Sequence, residues 1–200
     1  MSERDYLVAG LGNIGPGYAG TRHNIGFIVL DAWAQASNIA FEPARYGDLA
    51  TVSVKGRRFH LLKPSTYMNL SGNAVRYWLA ALDIPLENLI VVCDDINLPF
   101  GSIRMRTRGS NGGHNGLGNI EEILQTRDYA RIRLGIGHEF YDGGQIDYVL
   151  SPFSADQCLE LPAIAERVRG GIQTWALAGA QKAMTQLNTI PKPVEEAQNQ

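Results

Sequence analysis

Two cysteines, Cys93 and Cys158, are all that 200 residues contain, which excludes a disulfide framework and supplies no paired metal-ligand spacing. No apolar run reaches the roughly 18 residues that a membrane span needs, so no membrane partner is expected. The opening MSERDY carries two acids and no apolar core, so no export signal is visible and a cytoplasmic protein is expected. An excess of either charge is missing too: 18 Lys and Arg stand against 20 Asp and Glu, a formal net charge of −2. That balance excludes histone-like polycations and acidic disordered tails. No internal repeat or low-complexity segment is present. What the chain has in excess is glycine, 22 of 200, or 11% against about 7% in ordinary proteins. The length suits one domain with a sizeable core.

Hydrophobic periodicity predicts an α/β fold: a single domain with a twisted mixed β-sheet surrounded by helices. A first strand at Tyr6–Ala9 runs into the glycine-rich loop GLGNIGPGYAGTRHN, and a helix is predicted from about Asn24. Residues 49–54 and 58–63 read as a hairpin around Lys55-Gly56-Arg57. A second helix is expected over Asn69–Asp83, and the apolar run NLIVVC at 88–93 reads as a strand buried on both faces. Residues 102–108 alternate, with Arg104, Arg106 and Arg108 on one side. A short helix over Asn115–Leu124 and a strand over Arg131–Gly137 follow. Ser154 and Gln157 form a capping box that opens one long helical region, with Pro162 near its start. The domain is expected to span 1–188, with a mobile lid around 139–153 and a frayed tail over 189–200.

Gly10-x-Gly12-x-x-Gly15 after a strand is the form of a dinucleotide fingerprint. That site needs a helix opening inside the motif, whereas Pro16-Gly17 and Gly20 intervene here, so a tight turn is the better reading. No GxSxG elbow marks a serine nucleophile, and Cys93 reads as a small core residue. The histidines His23, His60, His114 and His138 show no ligand spacing among themselves, so no metal site is expected. Of Asp94 and Asp95, adjacent on a strand, one can enter a site while the other faces away. There remain amides and a histidine in glycine-rich settings: Asn13, His23-Asn24, Asn69 and Asn115, with Asp94 or Asp95 at a strand end. Any one of them is more often a cap or turn residue. Together they suit hydrolysis by activated water: a neutral imidazole as base, a carboxylate fixing its tautomer, an amide for the oxyanion.

The segments VAGLGN, YxxTRHNxG, KPSTYMNLSG, DDINLPFG, GGHNGL, RIRLGIG and YVLSPF, in that order, resemble the bacterial peptidyl-tRNA hydrolase family. Its members cleave the ester joining a stalled peptide to tRNA. The resemblance implies His23 as general base, Asp94 as its orienting partner and Asn13 positioning the water or carbonyl. It places Tyr18, Met68, Asn69, His114 and Asn115 along the substrate groove, and Arg104, Arg106 and Arg133 on the tRNA backbone. It further implies a monomer without metal or cofactor, acting on the tRNA acceptor end and attached peptide. A non-catalytic RNA-binding relative of the same fold is the alternative.

Two departures stand out. Ile14 follows Asn13 where the family usually has proline, which falls here at Pro16, and residues 139–147 hold Glu139, Asp142 and Asp147 with no base. Charge is also uneven: residues 45–118 hold nine bases and five acids, net +4, so one face can meet phosphates despite the negative total.

Overall fold

A computed structural model of the protein describes residues 4–189. The tail expected to fray lies, beyond Thr189, outside the described residues. Seven strands form one mixed sheet: β1 (Asp5–Gly10), β2 (Glu42–Ala44), β3 (Gly47–Val54), β4 (Arg57–Pro64), β5 (Leu89–Asp95), β6 (Ile103–Arg106) and β7 (Ala130–Gly135). Their spatial order is β2-β3-β4-β1-β5-β7-β6. β4, β1, β5 and β7 are mutually parallel, while β2, β3 and β6 extend the two sides antiparallel. The helices are α1 (Ile25–Ala36), α2 (Ser71–Ala81), α3 (Asn115–Leu124), α4 (Gln145–Val149), α5 (Ala155–Ala178) and α6 (Ala180–Asn188). None of the described helices is long and apolar enough to cross a membrane.

Both faces of the sheet are covered, which explains why the central strands read as unbroken apolar runs. Tyr6, Val8, Ile90, Val92, Ile132 and Leu134 pack on one side against α1, α5 and α6. Leu7, Ala9, Leu89, Val91 and Cys93 alternate to the other side, against Val75 of α2 and Leu117 and Ile120 of α3.

The structure refines several sequence expectations. The long C-terminal helical region is two helices, because Gly179 at φ 93° turns the chain between α5 and α6. The capping box forms as expected, Gln157 N–H donating to Ser154 Oγ at 3.2 Å and Ser154 N–H to Gln157 Oε1 at 3.0 Å. Single 3₁₀ turns at Arg22–Asn24 and Met68–Leu70 replace the first residues of two expected helices. The short strand β2 and helix α4 have no counterpart among the expected elements.

The glycines after β1 have a packing reason beyond a turn. A Cβ on Gly10 would lie 2.5 Å from Gly26 O, and one on Gly26 would lie 2.5 Å from both Leu11 N and Leu11 O. Strand and helix thus touch backbone to backbone, which fixes α1, and the turn just before it, over the carboxyl ends of β1 and β5. Gly26→Ala is expected to destabilise the fold by about 1–3 kcal/mol through overpacking. Thermal unfolding should show a Tm several degrees lower; an unchanged Tm would mean that α1 can retreat at no cost.

Candidate active site

The loops following β1, β4, β5 and β7 gather at one end of the sheet, the carboxyl end of the parallel strands where α/β folds collect ligands. Asp94 is the last residue but one of β5 there and is buried, at 4% exposure. His23, in the 3₁₀ turn before α1, points Nδ1 at Asp94 Oδ1 at 2.8 Å. His114 approaches from the other side, its Nε2 3.0 Å from the same oxygen. The two imidazole rings stand 5.1 Å apart, centre to centre, with the carboxylate bonded to both.

The hydrogen bonds fix the proton positions. The amides of Gly116 and Leu117 donate to His114 Nδ1 at 3.1 and 3.3 Å, so that nitrogen carries a lone pair and His114 caps α3. In the neutral ring the proton is then on Nε2 and is donated to Asp94. Burial by itself would push the Asp94 carboxyl up. The attraction of His114, the hydrogen bonds from His114 and His23 and the attraction of His23 outweigh it and hold Asp94 well below the usual carboxylate range. An ionised Asp94 accepts from His23 Nδ1–H, which leaves His23 Nε2 with its lone pair as the proton acceptor of the group.

His23, Asp94 and His114 also form the one cluster among the described residues with three ligand-type atoms within 4.8 Å of one another. A cation there would have to displace the two imidazole protons that already occupy Asp94 Oδ1. It would also need His114 Nε2 in its deprotonated form, against the two amides that claim the Nδ1 lone pair. The linear spacing of the histidines carries no sign of this convergence.

A cleft of about 110 Å³ opens beside the pair, lined by His23, Asp94, His114, Asn115, Arg133 and, across from them, Gln145, Ile146 and Val149 of α4. Asp95, on the opposite face of β5 from Asp94, also borders it and accepts from Arg133 Nη1 at 3.2 Å. Arg133 also donates to the carbonyl of Ser110, so it enters the cleft partly neutralised and held on two sides.

The other expected residues divide. Asn115 begins α3 at the cleft, with its side chain exposed. Asn13 lies in an adjoining recess with Asn24, Phe27 and Lys63. Asn24 Oδ1 accepts from Asn13 N–H at 2.8 Å and Asn24 Nδ2 donates to Asn13 O at 2.9 Å, so the loop holds its shape with Ile14 in place of proline. Ile14 is 54% exposed, without a packing role. Met68 is buried and meets the start of α3: a Cβ on Gly116 would lie 2.7 Å from its Sδ. Asn69 and Tyr18 are exposed, outside the lining of the cleft. His114, expected to bind substrate, lines the cleft and has both ring nitrogens bonded within the protein. Arg104 and Arg106 occupy the exposed side of β6, and Arg104 is paired in register with Arg133. Arg108 is 3.6 Å from Asp128.

Comparison with known proteins decides the family. A model of the peptidyl-tRNA hydrolase family matches residues 7–197. The chain belongs to the peptidyl-tRNA hydrolase family. Among its relatives, a peptidyl-tRNA hydrolase of Phocaeicola vulgatus is 55% identical over 186 residues, covering 92% of this chain and 98% of the relative. One of Cytophaga hutchinsonii is 50% identical over 184 residues with the same coverage. The crystal structure of peptidyl-tRNA hydrolase from Acinetobacter baumannii superposes with a TM-score of 0.87 at 29% identity, covering 94% of this chain and 97% of that one. The family match therefore spans nearly the whole chain, and the Acinetobacter baumannii enzyme has the same overall fold.

Proposed function

We propose that this chain hydrolyses the ester between peptide and tRNA, with His23 Nε2 taking the proton from the attacking water. The observation that carries the reading is the His23–Asp94 bond of 2.8 Å, which places a lone pair on the cleft side of the imidazole in a chain that the family matches from residue 7 to 197. As the water adds to the ester carbonyl, His23 becomes an imidazolium, and the buried negative charge of Asp94 stabilises it. Charge also develops on the carbonyl oxygen. Asn115 supplies an amide there, and the amino terminus of α3 favours negative charge at that place. His23 then returns its proton to the departing 3′-oxygen of the tRNA. Asn13, held by Asn24, and the exposed Asn69 and Tyr18 are assigned to the peptide main chain and the acceptor end, with Met68 as the apolar floor.

The basic row Arg106–Arg104–Arg133 leads along the sheet to the cleft, and we assign it to tRNA phosphates. The same reading takes the chain to act as a monomer in the cytoplasm, where its substrate class belongs. Of the cover expected at 139–153, helix α4 and the segment after it are tied to the body through the buried Tyr148 and Phe153, so the moving part is assigned to 139–144.

The deciding experiment is incubation with N-acetyl-aminoacyl-tRNA, following both complex formation and release of free tRNA. Catalytic release supports the hydrolase; tight binding without product would identify the non-catalytic RNA-binding relative. Replacing Arg104 and Arg106 together by glutamine is expected to raise KM several-fold with kcat little changed. The slope of log KM against log salt should fall by roughly 0.7–0.9 for each phosphate that is no longer neutralised. An unaltered salt slope would remove the row from the tRNA footprint.

A further inference from the structure

Next to His23 stands a residue that neither the composition nor the catalytic assignment accounts for. Arg22 Nη1 donates to Ser151 Oγ and to Pro152 O, both at 2.6 Å, and its Nη2 donates to Gln157 Oε1 at 3.1 Å. Its guanidinium carbon lies 4.4 Å from the ring centre of Tyr148 and 5.6 Å from that of Phe153. The main chain adds to the same junction: Arg22 N–H donates to Ser151 O at 3.0 Å, and Thr21 forms a β-bridge with Pro152. One side chain thus gathers the end of α4, the segment after it and the first turn of α5. These partners lie about 130 residues away along the chain.

The location gives this clamp its meaning. Ile146 and Val149 of α4 form the cleft wall facing His23, and Tyr148 OH donates to Ile136 O at 2.6 Å, tying the same helix to the end of β7. The residue immediately after the clamp is the base itself. A shift of the wall therefore pulls on Arg22 and so on the backbone that aims the His23 ring.

We propose that Arg22 is a positioning residue: it locks the α4–α5 wall to the turn carrying His23, so that base and cleft wall keep a fixed separation. This rests on the reading of His23 as the general base. Arg22 itself touches no reacting atom. Its planar fork meets three acceptors while its face packs on Tyr148, a combination that a lysine ammonium lacks.

The test uses the whole chain, with Arg22→Met, Arg22→Lys and Ser151→Ala made singly and Arg22→Met combined with Ser151→Ala. Deacylation of N-acetyl-aminoacyl-tRNA gives kcat and KM, and the downfield proton NMR signal of His23 Nδ1–H reports its bond to Asp94. Arg22→Met is expected to lower kcat about ten- to a hundredfold, as a misplacement of about 1 Å does. KM should stay within about threefold, and the His23 signal should broaden at temperatures where circular dichroism shows a folded protein. Arg22→Lys should fall between Arg22→Met and the unaltered chain, and Ser151→Ala should add little once Arg22 is gone.

A folded Arg22→Met variant with kcat within twofold and a sharp signal overturns the proposal, as does strict additivity with Ser151→Ala. If Arg22→Met does not fold, Arg22→Lys and Ser151→Ala decide by the same split: a fall in kcat supports the clamp, a rise in KM alone refutes it. His23→Ala separates the two readings. Turnover retained in that variant removes His23 as base, and the NMR signal then judges the clamp alone. Turnover abolished there but kept in Arg22→Met leaves the base standing and removes the clamp.

Discussion

His23→Ala should lower the turnover of peptidyl-tRNA by about 10²–10⁴-fold, the range expected when a positioned general base is removed. The fall should appear in kcat, with KM close to that of the unaltered chain, because in the proposed mechanism the ring meets only the attacking water while phosphate contacts carry most of the tRNA affinity. His23 is largely covered, with its side chain 13% exposed, yet its role in the packed core is small. Its removal is therefore expected to leave the fold intact, and circular dichroism with thermal unfolding checks this directly. A rate within a few-fold of the unaltered chain in single-turnover deacylation would end the assignment.

The second large effect belongs to Asp94. Its Oδ1 accepts from both His23 and His114, so the isosteric Asp94→Asn can keep an acceptor in place and lose only the charge. Without that charge the protonated form of His23 is less stable as it takes the proton, and a loss of about 10²-fold is expected. Asp94→Ala should be worse, since His23 is then free to rotate and the His114 N–H is left buried without an acceptor. Both variants retaining more than a tenth of the activity would show that the carboxylate is not part of the machinery.

Asp94 also makes stability depend on acid. Its folded value lies below the unfolded one of about 3.9. The stability it contributes is therefore fully present above about pH 4 and is lost as pH falls from there toward the folded value. Thermal unfolding between pH 5 and 2 should show a Tm decline that sets in near pH 4 and is shallower in Asp94→Asn.

Much of this molecule is written locally. The apolar run at 88–93 becomes β5, buried on both faces, because a parallel strand between helix layers has no wet side. The Ser154–Gln157 box names the start of α5, since cap and N3 residue lie within one turn. The hidden elements are those without room for a pattern. Helix α4 has five residues, too few for an apolar face to repeat, and β2 has three.

The site is legible by residue type and place in the chain but not by bonding. Asn13, His23, Asn69, Asp94 and Asn115 can be named from their settings, although Asn13 and Asn69 lie outside the lining of the cleft, whereas the bonding of His114 depends on two amides that come into reach only when α3 forms. Arg22 reads as one more charge in a motif, because its acceptors are a serine, a main-chain carbonyl and a glutamine in a distant segment. Gly10 and Gly26 behave in the same way. Each is ordinary alone, and their mutual contact exists only after strand and helix meet.

The cap that His114 places on α3 also has a kinetic side. One imidazole holds both early amides of the helix and Asp94 Oδ1, so the opening of that turn and the loosening of His114 from the carboxylate are neighbouring events. The amide protons of Gly116 and Leu117 can exchange with solvent only when His114 Nδ1 lets go. Their exchange rates thus report how often the first turn of α3 opens beside the site, a local opening far smaller than global unfolding.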